Sequence, residues 1–510
     1  YLPRKLTWTR TPIQVLNLTN QLQRLSRIPI IFCADLEHGL SQRFKIGVTP
    51  LPVSMSVGAT RSEKYAYYCG KIVSQEAQAV GIQMVLGPVM DVNTNPANPI
   101  INTRSFGERP DLVSSLGAAY ISGCQESGCI ATAKHFPGHG DTSTDTHLTM
   151  PIVSHSFKRL EEVELPPFKA AVDTGVKAVM GAHIEYPALE PTSGLPATFS
   201  YRIMTGLLRE KLGFKGIIVT DALAMRAIAD NFGDKEAVIR SVKAGADVVL
   251  PADSQVAFEA LLEAVRNRQI SEKRIDDSVE KILNVKAWLG MDKQWIIEPA
   301  KAEKVIGRQE NAQLVKEIAR AAITLLKNEH LLPLSNTSQK KVLLISTEER
   351  SVKGSRAKIF EETFGGLSRN EILERELLKR IGSLNFMRID ENPSYLEMSR
   401  VRKEVEKVDM IIFASFISVR SYKSGSGTIS ERQIELVRSL QDKVPLLFIA
   451  FGSPYVIANF QQAKAIICAY GSEPALIEAT VETIFGEIQP KGKLPVTISK
   501  EYSYGYSLSY

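Results

Sequence analysis

Short apolar runs alternate with amphipathic stretches over the first 290 residues, and this alternation restricts the possible folds more than any other feature of the chain. The apolar runs predict strands at Ile30–Cys33, Gln83–Leu86, Ile130–Ala133, Ala178–Gly181, Gly216–Thr220 and Asp247–Leu250. The stretches between them predict helices, among them Ser62–Val80, Asp111–Ser127, Arg159–Thr174, Tyr201–Leu212 and Ser254–Arg268. Strands that alternate with helices indicate parallel βαβ units. Continuously apolar strands are typical of a sheet buried on both faces.

Polar side chains follow nearly every predicted strand. This pattern distinguishes between a (β/α)₈ barrel and a Rossmann-type sheet. The side chains are Asp35 and Glu37, Asp91, Lys134 and His135, His183 and Glu185, and Asp221. In a (β/α)₈ barrel the site is built from the carboxyl ends of several strands. No Gly-x-Gly-x-x-Gly or phosphate loop follows a strand. The sequence therefore predicts a TIM-like barrel, and because only six or seven strands are found, we expect one strand to be lost or to lie in Tyr1–Leu6.

A second α/β unit follows the barrel. The pattern is interrupted by a polar stretch around Trp295–Asn311, after which a helix is predicted at Gln313–Lys327. Four further strands are predicted at Lys341–Ile345, Met410–Phe413, Pro445–Ala450 and Ala465–Ala469. We therefore expect a catalytic barrel over 1–292, a linker over 293–312, and a smaller domain with a mostly parallel sheet over 313–510.

Composition excludes several classes of protein. Hydrophobic residues make up 44% of the chain and charged residues 23%, as in ordinary globular proteins. No apolar run approaches the roughly 20 residues that span a bilayer, and no basic cluster interleaved with aromatics indicates nucleic acid. The net charge of +6 is compatible with weak attraction to an anionic polymer such as a cell wall.

The five cysteines are too few and too scattered for a disulfide framework, and we expect them to be small buried hydrophobes. The chain begins with Tyr1 rather than Met, so a signal peptide upstream stays possible. A periplasmic or secreted location is favoured, and a cytoplasmic one stays open. Oligomeric state is not predicted.

The densest group of ionisable residues lies between Lys134 and His147. This stretch of fourteen residues contains three of the seven histidines and two aspartates, broken by glycines and a proline. Loops that follow strands carry the chemistry of α/β enzymes. A purely structural polar loop is the alternative. Because the loop includes Gly138 and Gly140, we expect it to be mobile and to close over a ligand.

Asp221, Asp145 and His147 form a candidate catalytic set. Asp221 ends a predicted strand and is either a carboxylate nucleophile or the N-cap of the following helix. The spacing of Asp145 and His147 allows the carboxylate to hold one imidazole nitrogen while the other acts as acid and base. A nucleophile with an acid/base group is the minimum for double-displacement chemistry.

Two alternatives compete with this interpretation. His139, Asp141, Asp145 and His147 are all metal-ligand types, so a hydrolytic zinc or manganese centre is possible, although a helical His-x-x-x-His arrangement is absent. Arg43, Arg104 and Lys134 are either surface salt-bridge partners or, with Asp35, a cluster that binds sugar hydroxyls through charge-assisted hydrogen bonds.

The motifs together resemble those of family 3 glycoside hydrolases, in the β-N-acetylglucosaminidase branch. The run Lys-His-Phe-Pro-Gly-His-Gly-Asp-Thr from Lys134, then Asp-x-His and Pro151, is similar to the family signature. Further matching segments over residues 10–290 are Asp35-x-Glu37-x-Gly39, Gln42-Arg43-Phe44, Gly87-Pro88-Val89-x-Asp91-Val92, Arg104-Ser105-Phe106-Gly107 and Val219-Thr220-Asp221-x-Leu223-x-Met225.

The resemblance implies a function for each of these positions. Asp221 would be the nucleophile, and Asp145 with His147 the acid/base dyad. The N-acetylglucosamine unit would be bound by Asp35, Arg43, Arg104, Lys134, His135 and Met225. The implied fold is a TIM-like barrel followed by an α/β sandwich domain, with no metal or organic cofactor. The chain departs from the family pattern at Leu36, His38, Leu40 and Ala222, which affects the expected substrate preference.

The resemblance predicts a retaining exo-β-N-acetylglucosaminidase that acts on muropeptides or chitin-derived oligosaccharides. The first alternatives are a β-glucosidase or a glycoside phosphorylase of the same family. A metal-dependent hydrolase and a catalytically silent sugar-binding protein are alternatives from other classes.

Overall fold

The computed structural model describes residues 11–44, 46–145, 150–292, 295–335, 340–349, 363–364, 366–421, 423 and 425–510. The chain divides into two compact units. The first unit contains Tyr1–Thr49 and Ser62–Arg308, and the second contains Pro50–Arg61 and Gln309–Tyr510. None of the helices in the described ranges is long and apolar enough to cross a lipid bilayer.

The first unit contains a parallel sheet whose strand order follows the chain order, β1 to β6. The strands are β1 (Cys33–Ala34), β2 (Met84–Val85), β3 (Ile130–Phe136), β4 (Ala178–Gly181), β5 (Ile217–Ala222) and β6 (Val248–Leu250). A sheet that always adds its next strand on the same side winds in one direction, as a barrel does. The α/β class and the parallel sheet agree with the sequence prediction. Within the described part of the unit six strands are seen rather than eight, and Tyr1–Leu6 lies outside it.

The helices of the first unit separate these strands, as predicted. They are α1 (Pro12–Leu25), α3 (Glu63–Ala79), α4 (Pro110–Glu126), α5 (Phe157–Glu162), α6 (Leu165–Asp173), the π-helix α7 (Arg202–Lys211), α8 (Arg226–Phe232), α9 (Asp234–Ala244), α10 (Ser254–Arg266), α11 (Glu272–Trp288) and α12 (Pro299–Glu303). Several begin at capping residues. Ser62 accepts a hydrogen bond from the Tyr65 N–H and Ser271 from the Arg274 N–H, which satisfies a free donor of the first turn.

All six strands contribute to one interior cluster, so the sheet is curled around its core. The cluster takes alternate residues of each strand, namely Ile31 and Cys33, Met84 and Leu86, Ile130, Ala178 and Met180, Ile217 and Val219, and Val248 and Leu250. Val285 and Leu289, at the end of α11, pack against the same cluster. Alternate residues of a strand share one face, which explains this selection.

The second unit is a six-stranded, mostly parallel sheet with helices, in the order β11-β8-β12-β13-β14-β7. Its strands are β7 (Thr324–Asn328), β8 (Lys341–Glu348), β11 (Ser383–Asp390), β12 (Met410–Ile417), β13 (Leu446–Gly452) and β14 (Ala465–Cys468). Only β7 runs antiparallel to its neighbour in this sheet. The strands β9 (Thr363–Phe364) and β10 (Leu367–Ser368) form a separate antiparallel pair. The helices are α2 (Ser54–Thr60), α13 (Gln309–Ala322), α14 (Arg369–Leu378), α15 (Tyr395–Val405), α16 (Glu431–Leu440) and α17 (Pro474–Ile484).

The unit boundaries differ from the predicted 1–292, 293–312 and 313–510. Pro50–Arg61 belongs to the second unit, because Met55 and Ala59 on α2 lie within that unit's hydrophobic core. Part of the predicted linker forms α12, which contributes Ala302 to a small cluster with Leu16 and Ala79. The strand β7 also replaces the end of the predicted helix Gln313–Lys327, since the segment pairs with β14.

All five cysteines are buried and unpaired, as the sequence predicts. Burial raises the pKa of the Cys69 and Cys129 thiols to about 12, which keeps them protonated and unreactive at neutral pH.

Candidate active site

The carboxyl ends of the first unit's strands present the predicted polar residues. Asp35 follows β1, Asp91 follows β2, Lys134 and His135 lie at the end of β3, and Asp221 lies near the end of β5. The parallel strands of one sheet end at the same edge, so these side chains share one side of the curled sheet.

Asp35 lies between two cations. The Arg43 Nη2 is 2.5 Å from Asp35 Oδ2, and Arg43 Nε also donates to the Asp35 carbonyl oxygen over 3.0 Å. The Lys134 Nζ is 3.1 Å from Asp35 Oδ1. The Asp35 side chain is 31% exposed, whereas that of Lys134 is 2% exposed. The Asp35 carboxylate is therefore open to a ligand while its ion pairs with Arg43 and Lys134 fix its position.

Glu37 connects Lys134 to Arg104. Lys134 Nζ lies 2.7 Å from Glu37 Oε1. Arg104 binds the same carboxylate in a bidentate manner, with Nε–Oε2 and Nη2–Oε1 distances of 2.9 and 2.7 Å. Such forked pairs fix the guanidinium plane. The interpretation of Arg43, Arg104 and Lys134 as surface salt-bridge partners is therefore wrong, since they form one largely buried network.

The charges of this network keep both carboxyls ionised. Burial raises the pKa of Asp35, but Lys134 and Arg43 outweigh it and lower that pKa to about 2. Burial likewise opposes ionisation of Glu37, and Arg104 and Lys134 bring its pKa well below the ordinary range. Fixed charges of both signs can donate to and accept from sugar hydroxyls.

Asp221 is a partly exposed carboxylate at the end of β5. Its Oδ1 accepts the N–H of Ala222 over 2.7 Å. Burial raises its pKa, but His135 and His183 outweigh that effect and lower it. Asp221 lies inside β5 rather than at the N-cap of α8, a position taken by Met225. The helix-capping alternative for Asp221 is therefore wrong.

His183 supports the strand end that carries Asp221. Its Nε2 lies 3.3 Å from the Ala222 carbonyl oxygen, and its Nδ1 lies 2.9 Å from Thr198 Oγ1. Thr198 in turn donates to the Ala182 carbonyl oxygen over 2.8 Å. His183 is 1% exposed. It therefore affects the site by holding the Ala222 carbonyl oxygen and by lowering the pKa of Asp221.

Asp91 holds the beginning of the loop that follows β3. Its carboxylate accepts the N–H groups of His135 and His139, and its Oδ2 lies 2.8 Å from His135 Nδ1. Burial raises the pKa of Asp91, but His135 and His139 outweigh this and lower it. Burial, with the nearby His135, lowers the pKa of His139 to about 4, so this second imidazole is neutral at neutral pH.

Several contacts fix the loop as far as Thr142. The Asn98 side chain donates to the His139 and Gly140 carbonyl oxygens over 2.9 and 3.1 Å, and the Tyr186 hydroxyl donates to the Gly138 carbonyl oxygen. A Cβ on Gly140 would lie 1.8 Å from the Val92 carbonyl oxygen. Gly140 therefore permits close packing between the loop and the segment around Val92. The mobility expected for this loop stays a prediction.

The predicted acid/base pair is only partly within the described residues. Asp145 is buried, with 4% exposure. His147 lies outside the described residues, so its role stays a prediction. Met225 is buried at the start of α8, and its contact with a sugar also stays a prediction.

Two of the residues proposed as metal ligands, His139 and Asp141, have other partners. His139 Nδ1 lies 2.9 Å from Thr142 Oγ1, and Asp141 pairs with His155. In the part of the chain that the structure describes, no three His, Cys, Asp or Glu side chains are grouped closely enough to hold a metal. Asp141 and His139 therefore serve the loop's own structure here.

Sequence reasoning assigned no role to four residues that build the site. Glu37, Asp91 and His183 follow predicted strands as polar residues. Arg104 lies 67 positions from Glu37 and His135 lies 44 positions from Asp91, while His183 contacts a backbone carbonyl oxygen. Asn98 lies far along the loop that follows β2, and no signal in the sequence distinguishes it from an ordinary turn residue.

A curled parallel sheet that carries a held carboxylate and a network of charged side chains at its carboxyl edge has the groups that a glycosidase uses. The profile of the glycosyl hydrolase family 3 N-terminal domain matches residues 7–285, and that of the family 3 C-terminal domain matches residues 323–509. The chain belongs to glycosyl hydrolase family 3.

Similar proteins indicate which branch of the family this chain resembles. Beta-hexosaminidase A of Pseudoalteromonas piscicida is 29% identical, over 95% of this chain and 87% of that protein. A beta-N-acetylglucosaminidase/beta-glucosidase of Cellulomonas fimi is 28% identical, over 96% of this chain and 87% of that protein. The similarity therefore lies with the β-N-acetylglucosaminidase branch of the family.

Two solved structures share both units. A family 3 beta-N-acetylglucosaminidase from Paenibacillus sp. str. FPU-7 has a TM-score of 0.87 and 33% identity, covering 98% of this chain and 92% of that chain. A beta-glucoside phosphorylase has a TM-score of 0.84 and 27% identity, covering 96% of this chain and 88% of that chain.

Proposed function

We propose that this protein is a retaining exo-β-N-acetylglucosaminidase that removes terminal N-acetylglucosamine from muropeptides or chitin-type oligosaccharides. The observation that carries the proposal is Asp221, a partly exposed carboxylate held ionised by His135 and His183 beside a sugar-binding cluster. The similarity to proteins named as a β-hexosaminidase and a β-N-acetylglucosaminidase supports the choice of sugar.

In the proposed reaction Asp221 attacks the anomeric carbon and forms a covalent glycosyl-enzyme. His147, held by Asp145, protonates the leaving oxygen in the first step and activates water in the second. Most retaining glycosidases use two carboxyls for these roles, and a histidine acid/base departs from that pattern. Asp35, Arg43, Arg104, Lys134, His135 and Met225 bind the sugar.

A glycoside phosphorylase is the second candidate, because the similarity to a beta-glucoside phosphorylase covers both units. A histidine acid/base repels an attacking phosphate less than a glutamate does, since it carries no negative charge. In this reaction phosphate replaces water in the second step and the product is a sugar 1-phosphate.

The test is turnover of p-nitrophenyl N-acetyl-β-glucosaminide, with the glucoside as substrate control and with or without phosphate. Release of free N-acetylglucosamine, independent of phosphate, supports the proposal. A sugar 1-phosphate product supports the phosphorylase. Preference for the glucoside indicates a β-glucosidase, and binding without turnover indicates a sugar-binding protein. Loss of activity after EDTA dialysis, restored by zinc or manganese, would establish the metal-dependent hydrolase.

A further inference from the structure

The Asp91 carboxylate holds three groups at the beginning of the loop that follows β3. It is fully buried. Its Oδ1 accepts the His135 N–H over 3.1 Å and the His139 N–H over 2.7 Å, while its Oδ2 lies 2.8 Å from His135 Nδ1. Its own carbonyl oxygen accepts the Ser105 hydroxyl over 2.6 Å. The side chain therefore has a single orientation, set by two backbone groups and one ring nitrogen.

These contacts determine which nitrogen of His135 carries a proton. An ionised carboxylate can only accept hydrogen bonds, so the 2.8 Å contact requires a proton on Nδ1 of His135. Nε2 is then the ring nitrogen left for the site. Because His135 is the first of the groups that lower the pKa of Asp221, its ring orientation affects both the proposed sugar-binding cluster and the proposed nucleophile.

We propose that Asp91 is a positioning residue that sets the tautomer and orientation of His135 and, through the His139 N–H, fixes the start of the loop leading to Asp145. The inference rests on the proposed function, since it concerns the same site. Asp91 is shielded from solvent and does not touch substrate. A carboxylate that orients a catalytic imidazole is worth about 10²- to 10⁴-fold in rate in other enzymes.

The tautomer can be measured in the wild-type protein without any assay. The chain has seven histidines, and ¹⁵N-labelled histidine spectra distinguish a protonated from a bare ring nitrogen. The His135 signals are identified by their loss in His135→Gln. A protonated Nδ1 is expected, and a bare Nδ1 would overturn the proposal. This result does not depend on whether the protein hydrolyses N-acetylglucosaminides.

Asp91→Asn tests the consequence for turnover. The amide oxygen can still accept the two backbone N–H groups, but the NH₂ group then faces Nδ1. Because NH₂ is a donor, that contact requires a bare Nδ1 and places the ring proton on Nε2. We expect kcat/KM to fall about 100-fold and the His135 spectrum to change to the Nε2–H form.

Tyr186→Phe is the matched control, because it removes a hydrogen bond from the same loop at Gly138 without touching His135. We expect its kcat/KM to stay within about threefold of wild type, with an unchanged His135 spectrum. Equal losses in the two variants, with the Nδ1–H form kept in Asp91→Asn, would show that Asp91 is only a loop anchor. If Asp91→Asn does not fold, the wild-type spectrum decides. Inactive wild-type protein would refute the proposed function and leave the tautomer result standing.

Discussion

At the scale of single residues, Asp221 has the properties that a carboxylate nucleophile needs. It is partly exposed, its pKa is lowered by His135 and His183, and the Ala222 N–H orients one of its oxygens. An anion held in one orientation can attack without first losing a proton.

We expect Asp221→Asn to lower kcat at least about a thousandfold, because the covalent route requires the carboxylate. The unfolding temperature should change little, since the amide can still accept the Ala222 N–H. Asp173→Asn, at an exposed i,i+4 ion pair on α6, is the control and should keep full activity. Near-normal turnover by Asp221→Asn would refute the nucleophile assignment.

His147→Ala should produce a defect that depends on the leaving group. An aryl leaving group needs little protonation, so loss on the nitrophenyl glycoside should be partial, and azide should rescue the second step. A natural disaccharide should lose much more activity. Steady-state rates on both substrates check this. Equal losses without azide rescue would mean that His147 is not the general acid.

His139 makes folding stability depend on pH. Its pKa of about 4 in the folded protein lies below the value near 6.5 expected in the unfolded chain. Between about pH 6.5 and pH 4, His139 of the unfolded chain therefore binds a proton that His139 of the folded protein does not bind. The free energy of unfolding has its full value above about pH 6.5 and decreases by about 3 kcal/mol at most as the pH drops to 4. Urea unfolding of wild type and His139→Gln across this window should show a shallower slope in the variant. Parallel slopes would contradict the assignment.

At the scale of elements, α3 and α4 approach through two glycines. A Cβ on Gly70 would lie 2.1 Å from the Tyr120 carbonyl oxygen, and a Cβ on Gly123 would lie 2.0 Å from that of Tyr67. Each glycine thus contacts the backbone of the other helix. These helices cover β2 and β3, whose ends carry Asp91 and Lys134, so their spacing bears on the site.

Gly70→Ala and Gly123→Ala should each destabilise the first unit by about 2 kcal/mol or more, because backbone must shift to admit the methyl group. Gly206→Ala in α7 is the matched control. Its nearest neighbour would be 3.9 Å away, so the usual helix preference for alanine should stabilise by about 0.5–1 kcal/mol. Chemical denaturation of the three variants makes the comparison, and equal effects would contradict the close-approach interpretation.

At the scale of the whole molecule, the chain enters the second unit twice. Pro50–Arg61 interrupts the first unit and supplies α2 to the second. Ser56 Oγ donates to the Ala469 carbonyl oxygen over 3.3 Å, and the Lys493 N–H donates to that of Ala59 over 2.9 Å. The second unit is therefore complete only with this early segment.

Met55→Ala should destabilise the second unit by about 2–5 kcal/mol, because Met55 is fully buried in its core. Hydrogen exchange should show protection lost first in β8, β12 and β13, although the substitution lies in the first eighth of the chain. Leu396→Ala, on an exposed position of α15 in the same unit, should change stability by less than about 0.5 kcal/mol. Loss of protection first in β3 and β4 would contradict the assignment of α2 to the second unit.

The sequence alone determined the α/β class, the parallel strands of the first unit and the strand ends that carry Asp35, Lys134, His135 and Asp221. Hydrophobic periodicity and polar residues after strands are local signals, so they can be recognised in the sequence without knowing which segments pack together. The tertiary structure decided the rest. Edge strand β11 has only one buried residue among its eight, and β7 directly follows a helix, so both strands needed their sheet neighbours to be recognised.

Only the tertiary structure showed how the site is held. Glu37 meets Arg104 across 67 positions and Asp91 meets His135 across 44. Such pairs have no sequence period, because their proximity results from the curl of the sheet. The same holds for Gly140, which the sequence presents as a flexible residue and the structure packs against Val92. Local pattern determined which residues are available for chemistry, and the folded backbone determined which of them act together and which hold the others in place.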